Sequence, residues 1–178
     1  MQLLMLDAAA CYRECVVRHH EELECTTRVG RDYTAAGYPR QGLAFLQQAV
    51  DAGVDSAPLW TNIAYSHARA GDNEPAIECA LKAIERDEDR AEAWDTLACV
   101  YRRTGNIVNA RACAMRAVEL DKENPEHHCN LALAHHAAGD TAAALAACEQ
   151  AAIVRPVLAH QVKRYIEGST LELPGMLA

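Results

Sequence analysis

The chain has 178 residues, the length of one ordinary folded unit, and its apolar content of 51% with only 5% aromatics suits closely packed helices better than a sheet of bulky branched side chains. A formal charge of −8 disfavours nucleic acid and anionic membrane as partners. Eight cysteines without a C-x-x-C pair, spread through helix-like segments of a chain too long to need staples, read as reduced thiols of a cytoplasmic protein.

Residues 1–22 are the first predicted element, an N-terminal helix with Ala8, Tyr12 and Cys15 at packing positions. Ala8-Ala9-Ala10-Cys11 after Leu3, Leu4 and Leu6 has the outline of a lipoprotein cleavage box. No Lys or Arg precedes Arg13, however, and Asp7 interrupts the apolar run, so no export signal is expected. No other run is apolar and long enough to span a bilayer. Cys11, Cys15 and His19, spaced four apart, share a helix face and are chemically conceivable metal ligands; the same spacing makes a packing stripe, and no metal or other cofactor is expected. Leu4, Ala8, Cys11 and Cys15 also offer a face for a second copy of the chain.

From Leu23 the sequence falls into four lines of about 34 residues, beginning at Leu23, Ala57, Ala91 and Pro125. Gly37, Gly71, Gly105 and Gly139 coincide, each after a helix-length segment where a residue tolerating positive φ ends a helix. Small residues coincide as Gly30, Ala64, Ala98 and Ala132, as Gly42, Ala76, Ala110 and Ala144, and as Ala49, Ala83, Ala117 and Ala151. Val29, Ile63, Leu97 and Leu131 supply the larger apolar side chain before the first small one, so each line reads as a helical hairpin of knobs and holes. Asp72, Asn106 and Asp140 follow the turn glycines as N-caps, and Pro75 falls in a first turn.

Trp60-x-x-Ile63-Ala64-x-x-His67 with Gly71, Ala76, Ala80 and Ala83 resembles a tetratricopeptide repeat. Trp94, Leu97, Ala98, Tyr101, Gly105, Ala110, Ala114 and Ala117 give a second copy. His128, Leu131, Ala132, His135, Gly139, Ala144, Cys148, Ala151 and Pro156 give a third, with His128 in the tryptophan column. The copy at 23–56 is degenerate, with Thr26 in that column and Gly30 and Gly42 lowering helix propensity, while Tyr33, Gly37, Leu46 and Ala49 keep the register. Residues 159–167, with Val162, Tyr165 and Ile166 apolar, read as a capping helix, and 169–178 as a tail without helix periodicity.

The resemblance implies an all-α, right-handed superhelical solenoid of helix-turn-helix repeats forming one domain over 1–168, whose first helices line a concave face that holds peptides or protein segments. By the family pattern the lining columns are Thr27, Thr61, Asp95 and Cys129; Arg31, Tyr65, Cys99 and Leu133; Thr34, Ala68, Arg102 and His136; and Ala35, Arg69, Arg103 and Ala137. Arg31, Asn62, Tyr65, Arg69, Asp95, Arg102, Arg103, Asn130 and His136 are the expected contacts. Four arginines on one face of an acidic chain point to an acidic or C-terminal peptide ligand. The competing reading is a solvated salt-bridge network with Glu92, Asp95 and other acids. Co-chaperones of the family clamp a terminal carboxylate with lysine and asparagine; Asn62 and Asn130 lie in the asparagine column, but Lys82, Lys122 and Lys163 fall outside the lining helices, so that clamp is incomplete.

His127, His128, Cys129, His135 and His136 cluster in the fourth line, where His128 and His135 fall in packing columns and His136 faces the groove as a candidate for ligand contact or pH sensitivity. Cys79 and Cys113 read as small fillers, and Cys99 and Cys129 as groove thiols without an identifiable base. No phosphate-binding loop, nucleophile elbow, H-E-x-x-H helix or dinucleotide turn is present, so catalysis is not expected. The expected function is a non-catalytic adaptor or scaffold for a protein or peptide; a chaperone like those of type III secretion and a self-assembling scaffold are the alternatives.

Overall fold

The computed structural model describes residues 22–168. Among them are nine α-helices and no strand: α1 (Glu22–Ala35), α2 (Pro39–Asp51), α3 (Ala57–Ala70), α4 (Asn73–Arg86), α5 (Ala91–Arg103), α6 (Ile107–Leu120), α7 (Pro125–Ala137), α8 (Thr141–Val154) and α9 (Pro156–Ile166). They fall into two compact units, Met1–Glu88 with α1 to α4 and Asp89–Ala178 with α5 to α9. The expected N-terminal helix over 1–22, the Cys11, Cys15 and His19 face, and the tail lie outside the described residues, Glu22 excepted.

Each 34-residue line has become a pair of antiparallel-neighbour helices, because its turn glycine supplies the left-handed backbone. Gly37, Gly71, Gly105 and Gly139 have φ of 91°, 87°, 79° and 82°. At Gly71 the amide donates to Ala68 O and the next amide, of Asp72, donates to His67 O, closing the carbonyls that α3 leaves open. The following helix starts from a side chain where the cap works: Asn106 Oδ1 accepts from Asn109 N and Asp140 Oδ1 from Ala143 N. Asp72 departs from the expected cap, since its carboxylate lies 3.4 Å from His67 Nδ1 and makes no bond to its own helix.

In the first unit α1 packs on α2 and α3 on α4, with α3 also against α1 and α2. In the second, α5 packs on α6 and α7 on α8; α7 also touches α5 and α6, and α9 closes against α7 and α8. The alanine columns are the contact surfaces: Ala64, Ala76, Ala80 and Ala83, and likewise Ala98, Ala110, Ala114 and Ala117, are buried. Without bulk at these positions the helix axes approach to about 8–10 Å, and Leu46, Leu59, Leu97 and Leu133 fill what remains. The degenerate first line folds as a hairpin too. A Cβ added at Gly30 would meet Gly42 O at 2.9 Å, and one added at Gly42 would meet Gly30 O at 2.5 Å, so α1 and α2 touch backbone to backbone.

The closing helix starts at Pro156 rather than 159. Proline at the first helical position has no amide to leave unbonded and its φ is already helical, which carries the start three residues earlier. Leu158, Ala159, Val162 and Ile166 face the core while His160, Gln161, Lys163 and Arg164 stay exposed, so the helix ends the second unit with a polar surface. Cys25 is disulfide-bonded, which departs from the reduced state expected for all eight cysteines; Cys79, Cys99, Cys113, Cys129 and Cys148 are free.

Candidate functional site

The polar residues expected to line a binding face separate into half-exposed and sealed sets. In the first unit, Asn62, Tyr65 and Arg69 lie along α3, all half-buried. Arg31 on α1 is exposed and pairs with its neighbour Asp32 at 3.1 Å, a solvated contact of small energetic weight. Three residues of the expected lining columns are core instead. Thr34 Oγ1 donates to Gly30 O at 3.0 Å or shares a hydrogen with Ser66 Oγ at 2.6 Å, Thr61 Oγ1 donates to Ala57 O at 2.8 Å, and Ala68 is buried. A hydroxyl that bonds its own helix one turn back has no need of water, so these threonines pack like apolar residues.

At the edge of the same unit, Asp55 accepts three hydrogen bonds from two residues. Arg86 reaches it with Nε at 2.9 Å and Nη2 at 3.0 Å, and Trp60 Nε1 donates to it at 2.6 Å. Lys82 Nζ sits 4.6 Å from the Trp60 ring centroid. The Arg86 and Trp60 hydrogen bonds hold the Asp55 carboxyl below its ordinary range. Trp60 therefore forms an outer clasp of its repeat.

In the second unit, Arg102 and Arg103 end α5, half-buried, with Arg102 Nη2 reaching Cys99 Sγ at 3.9 Å. Cys129 and Leu133, expected in the groove, are buried core residues of α7. Burial pushes the Cys129 thiol up to about 12 and the Cys113 and Cys148 thiols up to about 11, so none of the three supplies thiolate near neutrality. His136 is half-buried with its ring edge-on to Tyr165 of α9 at 5.8 Å and 73°. The capping helix thus supplies a packing partner for this candidate contact.

Asp95 and Asn130 meet each other. Asn130 Nδ2 on α7 donates to Asp95 Oδ2 on α5 at 2.8 Å, and His127 Nδ1 lies 3.3 Å from Asp95 Oδ1, an ion-pair distance whose alignment falls short of a hydrogen bond. His127 is 3% exposed and Asn130 7%, while 18% of the Asp95 side chain reaches solvent. Sequence reasoning named His127 in the cluster of the fourth line but gave it no role, although its column holds Leu59 and Ala93, both fully buried, and an imidazole in such a column calls for a polar partner. Nearby acids are also matched: Arg155 Nη1 reaches Glu126 at 2.6 Å, Arg90 reaches Glu92 at 3.2 Å and Arg116 reaches Asp89 at 3.2 Å. Among the described residues no three His, Cys, Asp or Glu side chains gather as metal ligands, and no helix is long and apolar enough to cross a membrane.

Helical hairpins in a 34-residue period, with half-buried polar residues on first helices and alanine-filled contacts behind them, define a class of protein that generally serves as a non-catalytic protein-interaction scaffold. Family models described as tetratricopeptide repeat match residues 57–90 and 91–124, which are α3 with α4 and α5 with α6. Residues 57–124 thus carry two consecutive tetratricopeptide repeats.

Solved structures agree on the fold. TTC0263, a thermophilic TPR protein of Thermus thermophilus, superposes with a TM-score of 0.75 at 16% identity, over 83% of this chain and 82% of that one. The Cut9 and Hcn1 assembly of the APC/C gives 0.72 at 16% identity over 84% of this chain and 30% of that one. YrrB, a TPR protein with an unusual peptide-binding site, gives 0.67 at 15% identity over 93% and 87%. No curated protein matches the sequence.

Proposed function

We propose that the chain is an adaptor whose repeats hold carboxylate-bearing protein segments against their first helices, with Arg69 as the principal contact in the first unit, beside Asn62 and Tyr65, and Arg103 as the principal contact in the second, beside Arg102. The observation that carries this reading is positional. Arg69 and Arg103 occupy the same place in two consecutive matched repeats, at the last turn of α3 and of α5, and both are half-buried. A guanidinium partly removed from water binds a carboxylate more strongly than a fully exposed one, by about 1–3 kcal/mol per charge-assisted contact where the site is sheltered. The peptide-binding site of YrrB, on a chain of the same fold, supports a peptide as the form of the ligand.

The same arginines lie where a cation also steadies the helix C-terminus, worth about 0.3–1 kcal/mol. Binding and helix stability are therefore measured together. A displayed random-peptide library is selected on the immobilised full chain, and the enriched peptides are titrated against wild type and an Arg69→Glu/Arg103→Glu variant that retains its helical circular dichroism. Enrichment of acidic peptides, with affinity falling at least about tenfold in the variant and also with added salt, supports the reading. Enriched peptides without acidic residues, or with equal affinity for both forms, place binding elsewhere on the molecule.

A further inference from the structure

Outside the arginine face, the most unusual chemistry is the junction of α5 and α7. Position five of one repeat meets positions three and six of the next, and here those places hold Asp95, His127 and Asn130. In the first unit the same places hold Thr27, Leu59 and Asn62, with no ionisable side chain. Asp95 Oδ1, both His127 nitrogens and Asn130 Oδ1 are closed to solvent and lack an aligned hydrogen bond. A ligand in a surface groove has no access to these four atoms, so the cluster acts on the packing of the two helices.

We propose that Asp95, His127 and Asn130 form a proton-dependent latch between α5 and α7, closed when the imidazole is charged and loosened when it is neutral. With His127 charged, the carboxylate has a cation 3.3 Å from one oxygen and an amide donor 2.8 Å from the other. Loss of the proton leaves a largely buried carboxylate with the Asn130 amide and a poorly aligned neutral ring. Such a charge is stabilised by admitting water, which requires the helices to part.

The surroundings set the direction. Burial by itself drives the His127 imidazole toward its neutral form, but the Asp95 carboxylate, with Asp121 at the end of α6 and Glu92 on α5, outweighs burial and holds the pKa above the ordinary histidine value. From the α8 and α9 side, α7 meets the neutral Cys148 thiol and Arg155, whose guanidinium is taken by Glu126. A folded-state pKa raised above the unfolded one contributes stability that is complete below the unfolded value and is lost as pH rises through the folded value. The latch thus closes below the ordinary histidine pKa and slackens as pH rises through the raised value of His127.

Histidine side-chain resonances of the full chain, assigned through His127→Leu, give the His127 titration directly, and Asp95→Asn removes the charge while keeping the shape. The expected result is a wild-type pKa above the ordinary value that falls in Asp95→Asn. Hydrogen exchange of the 125–137 segment, corrected for intrinsic rate, is expected to lose protection between pH 5.5 and 8.5 in wild type and to show a flat profile in Asp95→Asn. A wild-type His127 pKa at or below the ordinary value overturns the proposal without any variant, as does a protection profile that keeps its slope in Asp95→Asn.

Discussion

Gly42 is the position where helix propensity and packing make opposite predictions. In an isolated helix, Gly42→Ala would stabilise by about 1 kcal/mol. In this structure the new Cβ would stand 2.5 Å from Gly30 O and closer still to Thr34 Oγ1. A backbone carbonyl has no rotamer by which to withdraw, so α2 must move off α1, and overpacking of this kind costs about 1–3 kcal/mol. Displacing the Thr34 hydroxyl also breaks its 2.6 Å contact with Ser66, which removes about 1 kcal/mol more. With the propensity gain set against these losses, the net is a destabilisation of about 1–3 kcal/mol, or a Tm lower by about 2–12 °C for a chain of this size. Thermal and urea unfolding followed by far-UV circular dichroism measures it. A Thr34→Ala/Gly42→Ala double variant should regain part of the loss but not all, because Gly30 O remains in the way. A Gly42→Ala variant as stable as wild type, or more stable, refutes the close-approach reading and restores Gly42 to the role of a weak helix former.

Two further measurements test the local chemistry. In a Trp94→Phe background, Trp60 emission should hold steady as pH falls and shift only below the ordinary carboxylate range, when Asp55 takes a proton and its 2.6 Å bond from Trp60 is lost; the lowered folded pKa means the clasp is intact above the unfolded value and fails as pH drops through the folded one. Arg86→Gln should move that midpoint upward, and an unmoved midpoint argues against the bidentate Arg86 contact. On brief alkylation at pH 8 with peptide mapping, half-exposed Cys99 should label well before Cys113, Cys129 and Cys148, whose thiols are buried and pushed up to about 11 or 12. Equal labelling of Cys99 and Cys129 would mean that α7 opens far more readily than its packing indicates.

The repeat was legible because its signals are local and recur. A turn glycine with positive φ, an alanine where two helices touch and an asparagine or aspartate at a helix start each follow from the backbone within a few residues. The small-residue columns put Gly30 and Gly42 at close approaches while propensity counted against them in their helices, and that the approach leaves no room even for a methyl group becomes visible only with both helices in place. Likewise, the column assignment put Thr34, Thr61, Ala68, Cys129 and Leu133 on a groove surface. Family position specifies the direction of a side chain from its helix, but whether that direction meets solvent depends on the neighbouring helix and on how large its side chains are.

Asp95 and Asn130 carry this point into the chemistry of binding. Each was a reasonable groove residue by column, and each is instead the other's hydrogen-bond partner across α5 and α7, with His127 beside them. A carboxylate held in that way is not available to repel an acidic ligand or to attract a basic one at full strength, because an amide donor and an imidazole already engage its oxygens. Glu92 and Glu126 are matched by Arg90 and Arg155 in the same unit. The acids on the first turns of α5 and α7, at the opposite end of α5 from Arg102 and Arg103, thus have cationic partners of their own. Net charge taken over the whole chain, −8, is for this reason a poor guide to what the α5 face attracts. Arg155→Ala alone frees the carboxylate of Glu126, which sits on the first turn of α7 while Arg102 and Arg103 end α5, so it should weaken an acidic peptide only at low ionic strength, and neutralising Glu126 and Arg155 together should leave affinity unchanged at any salt; a loss on Arg155→Ala that persists at high salt would place the ligand on the helix starts instead.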